Sequence, residues 1–75
     1  MSRLPQLRAR EHVRFLKSQG FVEDDQTGSH LTLWHEERKV AVTVPIHTGT
    51  DIGRGLAHRI LRDAGFSVED YLRLR

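Results

Sequence analysis

The stretch Gly28-Ser29-His30-Leu31-Thr32-Leu33-Trp34-His35-Glu36-Glu37-Arg38-Lys39-Val40-Ala41-Val42-Thr43-Val44-Pro45 holds two runs of alternating apolar residues separated by a charged turn. Strand side chains point alternately to opposite faces, so Leu31 and Leu33, then Val40, Val42 and Val44, make one apolar face. His30, Thr32 and Trp34 take the other. The spacing predicts a strand over 29–35, a turn at Glu36-Glu37-Arg38, and a strand over 39–46 that ends near Pro45. With Leu33 facing Val42, the same register sets Leu31 against Val44 and Thr32 against Thr43. The imidazole of His30 then stands just after a glycine turn, at the start of a strand and on its solvent side, where an acid/base group would meet a substrate.

Outward from this hairpin, the period changes to that of helices. Before it, Ala9, Val13 and Leu16 recur at helical spacing with Phe15 widening the stripe, and Gly20 stands where a helix C-terminal glycine belongs, so a helix runs from about Ala9 to Gln19. Phe21 and Val22 open a first strand that turns acidic and closes at Gln26-Thr27-Gly28. After it, a glycine-rich connection leads to Leu56, Ala57, Ile60, Leu61 and Ala64 at helical spacing, ended by Gly65, with Asp51 as the candidate cap. Ser67-Val68-Glu69-Asp70 resembles a cap before one short final helical turn. The fold class is therefore α+β: helix, three-stranded antiparallel meander, helix, with both helices on the apolar face and the other face open to a ligand.

Length and composition bound the function. Seventy-five residues make one domain spanning 1–75, with room for a single small core and none for a separate cofactor domain. The chain has no cysteine, which excludes a disulfide framework and a thiolate zinc site. His30 and His35 are directed to opposite faces of one strand, and no His-x-x-His pair exists, so neither a metal nor another cofactor is expected. Ser29 adjoins His30 but faces the other way, which argues against a serine nucleophile. The glycines of Gly49-Thr50-Asp51-Ile52-Gly53-Arg54-Gly55 lack the lysine and flanking pattern of a phosphate-binding loop. No apolar run reaches signal-peptide or membrane length, so a soluble cytoplasmic protein is expected.

Net charge is only +2, but it is unevenly spread. Arg3, Arg8, Arg10, Arg14 and Lys17 stand against Glu11 in the first segment, and Arg54, Arg59 and Arg62 form a second basic group. Such helices either contact phosphates or simply keep a small protein soluble, and charge alone does not decide between them.

The ordered set Gly28-Ser29-His30, Val42-Thr43-Val44-Pro45-Ile46-His47 and Ile60-Leu61-Arg62-Asp63-Ala64-Gly65 resembles the HicA-type toxins over nearly the whole chain. The resemblance implies a double-stranded-RNA-binding-like fold, an mRNA interferase that cleaves RNA without a metal using one histidine, and a HicB-type antitoxin that covers the active surface. That histidine maps onto His30. The chain departs from many relatives at Leu31, where they carry a second histidine, and at Arg54-Gly55-Leu56, where they have Pro-Gly-Thr. An inward-facing leucine at 31 is structurally natural beside an outward-facing His30.

The chemistry follows from the residue type. RNA carries its own nucleophile: a base that takes the 2′-hydroxyl proton lets that oxygen attack the adjacent phosphorus, leaving a 2′,3′-cyclic phosphate and a 5′-hydroxyl. Imidazole suits the task because its ordinary pKa of about 6.5 lets it both accept and return a proton near neutrality. Gly28 and Ser29 would support the turn that presents His30. Arg38 and Lys39 would hold neighbouring phosphates, as would Arg10, Arg14, Arg54 and Arg59 on the helices, and Trp34 would stack on an unpaired base or pack on a partner protein. His12 and His58 are expected to be structural or exposed, His35 faces inward, and His47 is assigned no chemistry. Two other readings stay open: an RNA-binding module of the same fold that does not cut, and an interaction domain whose open face serves only an antitoxin-like partner.

Overall fold

The computed structural model describes residues 7–46 and 51–75. Its elements are β1 (Leu7–Arg8), α1 (Ala9–Ser18), β2 (Val22–Thr27), β3 (His30–His35), β4 (Val40–Pro45), β5 (Asp51–Ile52), α2 (Arg54–Asp63) and α3 (Val68–Leu74). Strands β2, β3 and β4 form an antiparallel sheet in that order. The expected register holds: Leu33 faces Val42, Leu31 faces Val44 and Thr32 faces Thr43. This is the α+β arrangement the alternation implies, with helices against one face of the meander.

Both long helices end by the same device. Gly20, with φ +99°, donates its N–H to the Lys17 carbonyl, and Phe21 donates to Leu16. At the end of α2, Gly65, with φ +93°, donates to Arg62, and Phe66 donates to Leu61. These are paired Schellman closures, which need a left-handed residue that glycine alone adopts cheaply. The phenylalanine that follows each glycine is carried straight into the core: Phe21 and Phe66 are both buried.

The core joins the apolar sheet face to the helices. Leu31, Leu33, Val42 and Val44 pack with Phe15 and Leu16 of α1 and with Ala57, Ile60, Leu61 and Ala64 of α2. Phe15 sits edge-on to both Phe66 and Tyr71, with ring centroids 5.2 and 4.8 Å away. Complete burial of a leucine such as Leu33 is worth about 1.5–3 kcal/mol, a large share for a chain this short.

Three features depart from the sequence expectation. Two-residue strands β1 and β5 pair antiparallel, Leu7 with Ile52 and Arg8 with Asp51, beneath the alternation signal that four or more residues would give. Because Asp51 belongs to this strand, it is not the cap of α2; Gly53 occupies the N-cap position, without a side-chain cap. The final turn is longer than expected, a seven-residue α3, opened by a capping box in which Ser67 Oγ accepts from the Asp70 N–H and Asp70 Oδ2 accepts from the Ser67 N–H, each at 3.0 Å.

Candidate functional site

The turn between β2 and β3 is a two-residue hairpin with glycine first. Gly28 has φ +58°, Thr27 pairs with His30 across it, and nothing lies within 4 Å of where a Gly28 Cβ would be. The other side of the turn is tied to β4: the Ser29 carbonyl accepts from the Ile46 N–H at 2.6 Å, and His30 lies opposite Pro45. His30 is thus an exposed side chain on a backbone clamped by strands on both sides. That combination of rigid backbone and open access suits a group that must meet a substrate.

The register assembles the open face in three layers. Thr27, His30 and Pro45 form one; Asp25, Thr32 and Thr43 the next; Val22, Trp34 and Ala41 the third. Asp25 and Thr27 were not legible as neighbours of His30. Simple alternation from Val22 would send Asp24 and Gln26 to this face, but the register shifts between Glu23 and Asp25, and such a bulge reverses the parity of every later side chain. The acidic composition of this edge strand was the only available sign, since charge and bulging are how exposed edges avoid pairing.

The remaining candidates divide by layer of the fold. Trp34 is on the open face, half-buried, with its indole N–H donated to Glu36 Oε2 at 2.6 Å. Lys39 donates to the same carboxylate at 3.1 Å from a left-handed backbone, φ +56°. The Trp34 hydrogen bond, and secondly that of Lys39, hold the Glu36 carboxyl below its usual range. Arg59 extends beside β4, in a groove lined by Ala41, Thr43, Leu56 and Asp63, with its Nε 4.0 Å from Asp63. Arg10, Arg14 and Arg54 are exposed on helices packed against the opposite sheet face, so the fold does not gather them around His30.

Arg38 is exposed overall, and its side chain lies along the end of α2. One guanidinium nitrogen donates to the Ala64 carbonyl at 3.1 Å and the group lies 4.9 Å from the centre of the Phe66 ring. Its backbone N–H donates to His35 Nδ1 at 3.1 Å, which leaves the His35 proton on Nε2, donated to the Gln19 carbonyl at 3.1 Å. The β3–β4 turn therefore grips the C-terminal ends of α1 and α2 together. His12 is fully buried, its Nε2 bonded to the Ala57 carbonyl at 3.2 Å, and burial lowers its pKa from the ordinary 6.5 against the opposing effects of that bond and of Glu11. His58 is exposed on α2, while His47, like Arg3, lies outside the described residues.

Among the described residues no three histidine, cysteine or carboxylate side chains are grouped to hold a metal ion, and no helix is long and apolar enough to cross a membrane. Comparison with curated proteins finds no match. Comparison with protein families matches residues 9–66, from the first turn of α1 to the phenylalanine that closes α2, to the HicA toxin of bacterial toxin-antitoxin systems. The match takes in every strand of the meander and the hairpin that presents His30, and an antitoxin is the partner it implies. This chain belongs to the HicA toxin family.

Proposed function

We propose that this toxin is an endoribonuclease that cleaves mRNA in the cytoplasm, with His30 as its general acid/base and a HicB-type antitoxin as the protein that silences it. The observation that carries the reading is the setting of His30: exposed, first in β3, and held between Thr27 and Pro45 of the flanking strands. His30 takes the 2′-hydroxyl proton; the freed oxygen attacks the adjacent phosphorus, the bond from phosphorus to the 5′-oxygen breaks, and that oxygen leaves with a proton taken from solvent. The substrate brings its own nucleophile, so the step itself calls for no metal. Trp34, four residues along the same face, lies about 13 Å from His30 at strand spacing, close enough to stack on a base of the bound strand. Among the described residues, Arg59 lies beside β4 and Lys39 shares the Glu36 carboxylate with Trp34, so both supply positive charge at the edge of that face, and Gly28 and Ser29 shape the turn beneath it.

The test is incubation of the chain with a long single-stranded RNA in excess EDTA, beside a folded His30→Ala control. General acid/base catalysis contributes about 10²–10⁴-fold, and the control should lose that much. Cleavage that leaves cyclic phosphate and 5′-hydroxyl ends, lost in the control, is the expected result. Equal cleavage by both proteins would remove His30 from the mechanism; RNA retention without cleavage would favour a binding module. Bound antitoxin should suppress cleavage by blocking RNA approach to His30.

A further inference from the structure

Thr32 and Thr43 face each other across β3 and β4 on the same side of the sheet as His30, with their hydroxyl oxygens 3.2 Å apart. Thr32 is two residues beyond His30, about 7 Å along the strand, and Thr43 is its diagonal neighbour because Pro45 stands directly opposite. Each threonine hydroxyl has one proton. One hydroxyl therefore donates to the other, and the second keeps its O–H for an acceptor above the sheet. A hydroxyl that is already accepting a hydrogen bond is a stronger donor.

Apart from Arg59, which reaches the groove beside Thr43 from α2, the other side chains of the described open face offer no free donor near His30. Val22, Ala41 and Pro45 have none, and Asp25, when ionised, only accepts. The Thr27 hydroxyl is directed to Asp25 at 3.5 Å, and the Trp34 N–H is committed to Glu36. A phosphodiester over this face carries two non-bridging oxygens that need donors, most of all as negative charge grows on them during attack.

Resting on the ribonuclease reading above, we propose that the Thr32–Thr43 hydroxyl pair positions the scissile phosphate. It donates a hydrogen bond to a non-bridging oxygen of the phosphodiester whose 2′-hydroxyl meets His30. The pair transfers no proton: the 2′-hydroxyl proton goes to His30, the new bond joins the 2′-oxygen to phosphorus, the bond to the 5′-oxygen breaks, and the 5′-oxygen departs with a proton taken from solvent. Because the acceptor becomes more negative in the transition state, the bond strengthens there and acts on kcat more than on KM.

Thr32→Val and Thr43→Val test this, because valine keeps the branched shape that strands favour while deleting the hydroxyl. Steady-state cleavage of a short oligoribonucleotide in EDTA should show kcat reduced about ten- to a hundredfold in either variant, as for loss of a hydrogen bond to a charged oxygen, with KM within about threefold. The double variant should be no worse than the worse single one, since the hydroxyls act as a unit. Thr43→Ser should retain activity. Valine variants that cleave like the parent, while His30→Ala does not cleave, would overturn the pair alone, as would two single effects that multiply. A parent that does not cleave, or cleavage that survives His30→Ala, would instead bring down the ribonuclease reading and the pair with it.

Discussion

Replacing Gly20 by alanine should destabilise the protein far more than the loss of a flexible residue suggests. A Cβ at this position would lie 2.8 Å from His35 Nε2, inside any normal contact, and the backbone there has φ +99°. The left-handed conformation costs alanine about 1–2 kcal/mol. His35 must also move, giving up its bonds to the Gln19 carbonyl and the Arg38 N–H at about 1 kcal/mol each. The total is about 3–4 kcal/mol, against about 4–11 kcal/mol of stability for a chain of 75 residues. Gly65→Ala should cost less, about 2 kcal/mol, because its 2.9 Å neighbour is the end of the flexible Arg38 side chain, and Gly28→Ala, whose Cβ meets nothing, about 1 kcal/mol. Urea unfolding followed by far-ultraviolet circular dichroism gives the order. In a His35→Ala background, Gly20→Ala should cost only its backbone part, so the double-mutant cycle should show coupling of about 2 kcal/mol. A Gly20→Ala penalty no larger than that of Gly28→Ala, or a cycle with no coupling, would refute the close-approach argument.

Further outcomes follow from the same contacts. Burial holds the His12 pKa below 6.5 in the folded chain, so the unfolded chain binds the proton more readily; stability should be intact above about pH 6.5 and fall as pH drops towards the folded value, and urea midpoints from pH 7 to pH 5 should show a shallower slope in His12→Leu. Ser67→Ala removes the α3 cap and should cost about 1 kcal/mol in the same unfolding assay. The Ser67 N–H, then Arg73, keep the Asp70 carboxyl below its ordinary 3.8, so the capping box should contribute at neutral pH and be lost as pH falls below about 4, read as extra acid sensitivity of the parent over Asp70→Asn. Arg38→Ala breaks the contacts to Ala64 and Phe66 and should speed hydrogen exchange at the C-terminal end of α2, while leaving the end of α1, held through His35, and β2 unchanged.

Local pattern determined much of this protein by itself. A period of two placed Leu31, Leu33, Val42 and Val44 inward and therefore His30, Thr32 and Trp34 outward, because a strand allows no other alternation once one face is buried. A period near 3.6 placed α1 and α2, and glycine at 20 and 65 marked their ends, because few other residues take a left-handed backbone without strain. The family motifs rest on those same residues. Tertiary structure alone decided the rest. Whether His12 is exposed or sealed depends on α2, whose Ala57 carbonyl is 45 residues away in sequence. That Arg38 lies over the Phe66 ring depends on how the β3–β4 turn meets the end of α2. Which acidic residues stand beside His30 depends on one extra residue in β2. In each case the deciding neighbour is distant in sequence or the parity is reset by pairing, and periodicity within one segment does not carry that information.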